Sequence, residues 1–396
     1  MHDAVKLERF TNALAQSDFD VVVAASPENT WYLSEAVIDT QRTLPERLAL
    51  VAWPKHGEPV HIVCTNEQIQ ARRDSWIPEL RGYIEYKESP MGHLAQAVTE
   101  KGAAQGTIGI EKRFLTAHYF EQLAELLPRA RFVEVGPFFD RVRAIKTPEE
   151  IARMEHAAQA TERAIREAFE AARPGMTERQ VGVALSSALV RNGAYYQAFQ
   201  VLAAGHNTTT THHRAGDYVI QRGDLMRTDF GGIFPGGYYS DLARTVCVGR
   251  PRPDQEDLYK AIWEEHERLI RMMRPGLPCE DLYYAHKRAW EQRGWPMVRP
   301  HIGHSIGIGL HEYPLLRPGE KAVLEPGMCM AMEPNHIGLG RAHGLAEARL
   351  QGGERFGGDG GESRGGQSGD GVSSLGASPS AAPARSGRSA SARART

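Results

Sequence analysis

The chain has 396 residues, a formal net charge of −2, 41% hydrophobic residues and 24% charged residues. These values are close to those of an average soluble protein, and the length is sufficient for two ordinary domains with sizeable cores. Because positive charge is not in excess, we expect no binding to nucleic acid or to anionic membranes. A short peptide or another small molecule is the expected substrate.

The amino terminus and the cysteines predict the compartment. Residues 1–10 lack the positive charge and apolar run that mark a signal peptide, and no stretch approaches the length of a membrane span. The cysteines are far apart and form no Cys-x-x-Cys pair, so we expect buried thiols instead of disulfides or a zinc site. They are Cys64, Cys247, Cys279 and Cys329. We therefore predict a cytoplasmic protein.

Hydrophobic patterning predicts an α/β domain over residues 1–142. Apolar residues at helical spacing predict one helix at its start, and short apolar runs between turn residues predict strands. The predicted helix covers residues 7–15, and the predicted strands cover residues 21–25, 47–53, 59–64, 107–110 and 131–135. Because helical patterns alternate with these strands, we expect a mixed sheet flanked by helices.

A second domain is predicted over residues 143–350, and a helix begins near its start. Thr147 is suited to be the N-cap of this helix and Pro148 to be its first residue, while Glu149 and Glu150 complement the helix dipole. Two helices precede a strand-rich block, and two further helices precede a second one. The predicted helices cover residues 148–174, 177–192, 254–273 and 278–293. This order predicts an α+β domain with a duplicated helix-plus-sheet unit.

Residues 351–396 differ in composition from the rest of the chain. Gly, Ser, Ala and Arg dominate this segment, and large apolar residues are few. Such a segment buries too little apolar surface to offset the entropy of ordering, so we predict that it is disordered. Because the change is abrupt, a further hypothesis is an altered reading frame near residues 340–350, which sequencing of the source DNA would test.

Two aspartates of the second domain, Asp229 and Asp241, are candidate metal ligands. Strand-like runs flank the turn at residues 234–237, which predicts a hairpin. An antiparallel hairpin can bring the two carboxylates opposite each other, where they repel unless protons or cations lie between them. The alternative is that one aspartate caps a turn while the other forms a surface salt bridge.

A histidine and a glutamate later in the chain extend this set of ligand types. His304 lies between glycines, and Glu333 follows an apolar strand predicted at residues 328–332. Taken singly, His304 would more often be a buried structural histidine, and Glu333 a surface group at a strand end. Together with the two aspartates, they offer the nitrogen and oxygen ligands that suit Mn²⁺, Co²⁺, Fe²⁺ or Zn²⁺.

Three longer segments carry a resemblance to a known family. They are the domain junction at residues 143–151, Ser-Asp-Leu-Ala-Arg-Thr at residues 240–245, and the segment at residues 303–314. Over roughly residues 7–340, the sequence resembles the creatinase, aminopeptidase P, prolidase and methionine aminopeptidase superfamily. It looks most like the Xaa-Pro dipeptidase branch. The resemblance implies an α+β pita-bread catalytic domain preceded by a smaller, creatinase-type α/β domain.

The resemblance also implies which residues bind metal. Asp229 would bind one of two divalent ions, and Asp241 would bridge the pair. His304 and Glu333 would hold the second ion. The family's fifth ligand is a bridging glutamate that falls on Glu347 by its spacing from Glu333, although the acidic neighbour found in the family is absent here.

Two histidines match family positions that contact the substrate. These are His212 and His311, and a shift of one residue in the loop would put His213 in the place of His212. In the mechanism that the resemblance implies, two ions activate water to attack the carbonyl before proline in a short Xaa-Pro peptide. Mn²⁺ or Co²⁺ is the first expectation, with Zn²⁺ or Fe²⁺ as alternatives. Glu333 would be the base, while the two histidines would stabilise the oxyanion.

Three other outcomes stay open. The chain could be a pita-bread enzyme that acts on a non-peptide small molecule, such as a creatine- or ectoine-like compound. It could be a metal-deficient, non-catalytic homologue, or a peptidase impaired by an altered carboxyl terminus. The four retained ligand-type residues disfavour metal-free chemistry of the creatinase kind, whereas the changed surroundings of Glu347 favour an incomplete site. The family also implies a homodimer.

Overall fold

The computed structural model describes residues 3–44 and 46–336, together with the two-residue strand Ser373–Ser374. Its first six strands are β1 Val21–Ala24, β2 Leu50–Pro54, β3 Val60–Cys64, β4 Glu79–Tyr83, β5 Thr107–Ile110 and β6 Arg131–Glu134. They form one sheet in the order β4-β3-β2-β1-β5-β6. β2 is antiparallel to β1 and β3, and the other three pairs are parallel. Five of these strands agree with prediction, and β4 was not predicted.

Helices cover both faces of this sheet. They are α1 Ala4–Ala15, α2 Pro27–Ser34, α3 Thr40–Thr43, α4 Gln68–Asp74, α5 Pro90–Glu100, α6 Ala117–Leu126 and α7 Gly136–Ala144. Successive side chains of β1 enter different cores, because a strand points alternate residues to opposite faces. Val22 shares a core with Phe10 of α1, whereas Val21 and Val23 share another with Leu94 of α5. The predicted mixed sheet between helices is therefore present.

The second part of the chain contains the same arrangement of helices and strands two times. Two helices and three antiparallel strands are followed by two more helices and three more strands. The elements are α8 Pro148–Ala171, α9 Glu178–Arg191, β7 Tyr196–Ala204, β8 Leu225–Ile233, β9 Leu242–Cys247, α10 Pro253–Met272, α11 Cys279–Gln292, β10 Gly303–Ser305, β11 Glu312–Leu315 and β12 Met330–Met332. The first sheet has the order β9-β8-β7 with Ser373–Ser374 beside β9, and the second has the order β11-β10-β12. This matches the duplicated unit that we predicted.

Local chemistry explains where α8 begins. The Thr147 hydroxyl accepts a hydrogen bond from the Glu150 amide at 3.1 Å, and the Glu150 carboxylate accepts one from the Thr147 amide at 2.8 Å. This reciprocal capping box satisfies two amides that a helix start leaves free. Pro148 occupies the first helical position, where its missing N–H costs nothing.

Segments that flank the strands of the second part pack directly on the first part. One core contains Trp31 and Val37 together with Tyr239, Ile306 and Ile308. The segments that precede Asp241 and follow His304 are therefore fixed against the first domain.

The structure also bears on the predictions for the cysteines, the membrane spans, the domain boundary and the tail. The four cysteines are buried and free, as predicted. In the described ranges, no helix is both long and apolar enough to cross a membrane. The predicted boundary after residue 142 lies within α7, and it stays a prediction. The proposed frame change and the predicted disordered tail, residues 351–396, lie outside the described residues, except for Ser373–Ser374.

His61 on β3 should make stability depend on pH. It is fully buried, and neither ring nitrogen has a hydrogen-bond partner within the described part of the chain. Burial lowers the pKa of His61 from 6.5 to about 4. Below pH 6.5, His61 becomes protonated in the unfolded chain but stays neutral in the folded protein. The folded state is therefore not destabilised by His61 above that pH, and it loses stability as the pH falls towards 4.

For each unit by which the pH falls, we expect the free energy of unfolding to decrease by about 1.4 kcal/mol less in His61→Leu than in the unsubstituted protein. Urea unfolding between pH 7 and pH 5 would measure the free energy of unfolding. His56→Leu is the control, because His56 is exposed. An unchanged pH slope in His61→Leu would show that the buried imidazole is not the cause.

Candidate functional site

The central hairpin places Asp229 and Asp241 on one face of a sheet. Asp229 of β8 lies opposite Ala243 of β9. Asp241 lies two positions before Ala243, so the same register puts it opposite Gly231. The two carboxylates are therefore diagonal neighbours, not directly opposite as we expected. The reason is that the turn is centred on Gly236, one residue later than direct pairing would need.

The hairpin requires a glycine opposite Asp241. A Cβ atom at Gly231 would lie 1.9 Å from the Ser240 carbonyl oxygen and 2.7 Å from the Phe199 ring. These distances are far below non-bonded contact, so only glycine allows β8 and β9 to approach this closely here. Because Asp241 directly follows Ser240 in the chain, this close approach fixes the backbone position from which the Asp241 side chain extends.

β10 and β12 bring His304 and Glu333 side by side. His304 pairs with Ala331 of β12. A Cβ atom at Gly303 would lie 2.2 Å from the Ala331 carbonyl oxygen, so this glycine allows the two strands to meet. Glu333 directly follows β12, and its amide donates to the Ile302 carbonyl at 2.7 Å.

Three of the predicted ligands meet in one buried cluster. Nε2 of His304 lies 2.8 Å from Oε1 of Glu333 and 3.5 Å from Oδ2 of Asp241. One possible ligand atom from each residue lies within 4.8 Å of the other two. We call these three residues the acidic-histidine cluster. They come from two different sheets, which is why their proximity depends on the whole second domain.

Both ring nitrogens of His304 face hydrogen-bond acceptors. Nδ1 lies 3.0 Å from the Ser305 carbonyl oxygen, and Nε2 faces the two carboxylates. Burial alone would lower the pKa of His304, but the hydrogen bond and charge of Glu333 raise it above its ordinary value, with help from the Ser305 carbonyl and the charge of Asp229. Asp229, the fourth predicted ligand, thus acts on the His304 ring through its charge, although it is not one of the three residues of the cluster. The carboxylates thus stabilise positive charge at this point.

Arg299 holds the other side of Glu333. Its Nη2 atom lies 3.0 Å from Oε2 of Glu333, while Oε1 faces His304. Burial raises the pKa of Glu333, but the hydrogen bond and charge of His304 and the charge of Arg299 outweigh it and hold that pKa below its ordinary value. Glu333 is therefore an ionised carboxylate fixed at both oxygens.

Two further histidines pack around His304. The ring of His311 stacks on it with centroids 3.8 Å apart, and His301 meets the rings of His304 and His311 edge-on at 6.3 and 5.7 Å. Burial of the ring and the neighbouring His304 lower the pKa of His311 to about 4, so this imidazole is neutral at neutral pH. His311 as a residue is nevertheless exposed, which leaves it accessible to a ligand.

Sequence reasoning did not identify Arg299 and His301. Both lie in Arg-Pro-His directly before Ile302. A cationic and an imidazole side chain within five residues of His304 were the available signal. They line a small crevice beside Glu333.

The loop after β7 separates His212 from His213. Nε2 of His213 lies 2.8 Å from the buried carboxylate of Glu178, which also accepts hydrogen bonds from the amides of Ala204 and Gly216. His212 lies in a turn and is exposed. Within the described residues, no hydrogen bond or ring contact joins it to the acidic-histidine cluster. Its role as a substrate contact stays a prediction, and the engagement of His213 disfavours the exchange of the two.

These two histidines should differ in their effect on stability. We expect His213→Ala to lower the free energy of unfolding by about 1–3 kcal/mol, because the buried carboxylate of Glu178 loses a hydrogen-bond partner. His212→Ala removes an exposed side chain and should leave that free energy unchanged. Urea unfolding of the two variants measures the difference, and equal stabilities would contradict the assignment of His213 to Glu178.

The donor set fits a divalent metal ion. Two buried carboxylates and an imidazole nitrogen provide donors that suit Mn²⁺, Co²⁺, Fe²⁺ or Zn²⁺. The Ser305 carbonyl engages Nδ1 of His304 and leaves Nε2 turned to the carboxylates, as is usual for a histidine that binds metal. Asp229 would add a further carboxylate. Glu347 lies outside the described residues, so its part in the site stays a prediction.

Comparison with known proteins covers nearly the whole described chain. A model of the creatinase/prolidase amino-terminal domain matches residues 6–145, and a model of metallopeptidase family M24 matches residues 152–361. The Xaa-Pro dipeptidase of Lactobacillus helveticus is 29% identical over 335 residues, which are 83% of this chain and 89% of that protein. The Xaa-Pro dipeptidase of Pyrococcus furiosus is 31% identical over 331 residues, with the same two coverages.

Solved structures share the fold. The Xaa-Pro dipeptidase from Bacillus anthracis has a TM-score of 0.76 at 24% identity, over 88% of this chain and 96% of that one. Dipeptidase PepE from Mycobacterium ulcerans has the same TM-score and identity, over 95% and 96%. The predicted fold class, a pita-bread catalytic domain after a creatinase-type α/β domain, is confirmed, as is the prediction of a metallopeptidase. Since the M24 model matches more than half of its length, the chain belongs to metallopeptidase family M24.

Proposed function

We propose that this chain is a dipeptidase that hydrolyses short Xaa-Pro peptides with two divalent ions held by Asp229, Asp241, His304, Glu333 and Glu347. The observation that carries the proposal is the buried cluster in which Nε2 of His304 faces two carboxylates. The similarity to two Xaa-Pro dipeptidases over 83% of the chain supports the substrate class. We propose Mn²⁺ or Co²⁺, with Zn²⁺ or Fe²⁺ as alternatives.

The residues of the cluster would hold the ions in a fixed frame. When bound, such ions lower the pKa of water and polarise a carbonyl group. The Ser305 carbonyl orients the His304 ring, and Arg299 restrains Glu333 so that one of its oxygens stays turned to the cluster. The burial of His304 and Glu333 limits side-chain motion that would otherwise change the geometry of the site.

His311 is suited to contact the substrate. It is neutral, exposed and stacked on His304, so its N–H can donate to a carbonyl oxygen on which negative charge develops. Arg299 and His304 each contact one oxygen of the Glu333 carboxylate, and this fixed position supports its role as a ligand. The roles of His212 and of Glu333 as base remain part of the proposal.

One assay tests the substrate and the metal together. Purified protein loaded with Mn²⁺ or Co²⁺ should release proline from Gly-Pro and Leu-Pro, and a chelator should abolish the release. Pro-Gly is the matched control, because it has the same composition as Gly-Pro but no bond before proline. Creatine and ectoine, offered in parallel, separate the non-peptide alternative. Absence of bound metal in elemental analysis would refute the proposal.

Two parts of the proposal need their own measurements. Glu347→Ala should lower the number of bound ions if Glu347 is the fifth ligand. The homodimer, which the family resemblance implies, would be tested by sedimentation equilibrium.

A further inference from the structure

The domain junction contains two cations that the proposed chemistry does not use. Arg143 lies at the end of α7, and Lys146 lies between α7 and α8. Lys146 is buried, and its amide donates to the Gly327 carbonyl at 2.9 Å. A buried lysine is costly unless its charge is paired, so its partners indicate what it does.

Both cations converge on Glu312. The Glu312 carboxylate pairs with the Arg143 guanidinium and lies 3.0 Å from Nζ of Lys146. The Gly309 amide donates to it at 2.8 Å. Burial raises the pKa of Glu312, but the charges of Arg143 and Lys146 overcome this and lower it to about 2. Glu312 is thus fixed as a carboxylate by three donors.

Lys146 also reaches the strand that carries His304. Its Nζ donates to Oγ of Ser305 at 2.9 Å. Ser305 of β10 and Glu312 of β11 are partners in the same ladder. Each directly follows one of the two stacked histidines, His304 and His311, in the chain. Lys146 therefore contacts both strands beside the two imidazoles, whose centroids are 3.8 Å apart.

The other end of this network lies in the first domain. Nη1 of Arg143 donates to Oδ1 of Asn29 on α2 at 2.7 Å, and Nδ2 of Asn29 donates to Glu111 at 2.7 Å. Glu111 follows β5 and accepts hydrogen bonds from the amides of Ala25 and Ser26. A continuous chain of polar contacts thus runs from the ends of β1 and β5 to Glu312.

We propose that Lys146 and Arg143 are positioning residues that act through Glu312 and Ser305 to hold His304 and His311 in register with the first domain. This inference rests on the proposed function, because that function assigns metal binding to His304 and substrate contact to His311. The competing account is that the network only stabilises the domain interface. That account predicts loss of stability without any change at the two histidines.

Lys146→Met tests the inference without leaving a bare buried charge. Glu312 keeps Arg143 as its partner, and methionine fills a similar volume. Asp3→Asn is the matched control. The Thr147 hydroxyl donates to Oδ2 of Asp3 at 2.5 Å in the same junction, and among the described residues no hydrogen bond or ion pair joins Asp3 to β10 or β11. Ser305→Ala removes the same contact from the other end, so its effect should not add to that of Lys146→Met.

The first readout is the nitrogen–proton correlation spectrum of protein labelled at histidine, recorded without metal. In Lys146→Met, the His304 and His311 signals should move while that of exposed His56 stays in place. The second readout is Co²⁺ affinity, which should weaken by about 10–100-fold, as is typical when partners of metal ligands are removed. The third is dipeptide turnover, where we expect kcat to fall by a similar factor with little change in KM.

The outcomes separate this inference from the proposed function. If Lys146→Met lowers only the unfolding temperature and leaves the histidine spectrum unchanged, as expected for Asp3→Asn, the positioning role is wrong. If the unsubstituted protein binds no Co²⁺ and releases no proline, the proposed function fails. The spectrum of the metal-free protein still decides the inference in that case.

Discussion

Asp241→Ala is expected to abolish metal binding and dipeptide cleavage together. Oδ2 of Asp241 lies 3.5 Å from Nε2 of His304, and Asp241 is the member of the cluster that the β8–β9 hairpin supplies. Without it, only His304 and Glu333 remain in the group, and those two already satisfy each other at 2.8 Å. We expect kcat/KM to fall by about 10³-fold or more, equivalent to about 4 kcal/mol of lost transition-state stabilisation.

The control for this prediction is an aspartate outside the cluster. Asp217 is exposed and pairs with Arg179 at 3.0 Å, so Asp217→Ala should keep full metal content and activity. Asp241→Asn separates charge from shape, because it keeps the volume of the side chain while removing the negative charge. Metal content by elemental analysis, with circular dichroism to confirm folding, gives the result. A folded Asp241→Ala protein with unchanged metal content would exclude Asp241 as a ligand.

Features fixed by neighbouring residues were predictable from the sequence. Thr147 and Thr177 both begin helices through capping boxes, which depend on residues only three positions apart. The strand at residues 21–24 matched its prediction because it is a continuous apolar run, Val-Val-Val-Ala. β4 was missed because its sequence, Glu-Leu-Arg-Gly-Tyr, mixes charges with apolar residues at the edge of the sheet, where four of its five residues are only half-buried.

Features fixed by distant contacts were not predictable in the same way. The ion pair of Arg299 with Glu333 joins residues 34 positions apart, through the packing of β10 on β12. His213 is distinguished from His212 by Glu178, which lies 35 positions earlier. Residue types and motif order identified the acidic-histidine cluster, but the diagonal placement of Asp229 depends on where the hairpin turn is centred.

Gly231→Ala is expected to have the second large effect, although it adds one methyl group. The new Cβ would lie 1.9 Å from the Ser240 carbonyl oxygen and 2.7 Å from the Phe199 ring. The ring can rotate, but the carbonyl belongs to the backbone of the paired segment. Carbon–oxygen contacts of about 3.3 Å are normal, so β8 and the segment that contains Ser240 must separate by more than about 1 Å.

This separation should reach the metal site because Asp241 follows Ser240. Overpacking of this kind costs about 1–3 kcal/mol of unfolding free energy. A displacement of about 1 Å at a reacting centre can cost about 100-fold in rate, so we expect Co²⁺ affinity and kcat/KM to fall well beyond the loss of stability. The two effects are separated by measuring activity at a temperature where the variant is fully folded.

Gly92→Ala is the control for Gly231→Ala. Gly92 lies in α5, and apart from its chain neighbours and the backbone of its own helix, no described atom lies within 4 Å of the position that a Cβ would take. Alanine there should be neutral or should stabilise the helix by about 0.5–1 kcal/mol, with no change in metal affinity. Urea unfolding with and without Co²⁺ compares the two variants. If Gly231→Ala matches Gly92→Ala in both stability and metal affinity, then the close approach of β8 to Ser240 does not set the position of Asp241.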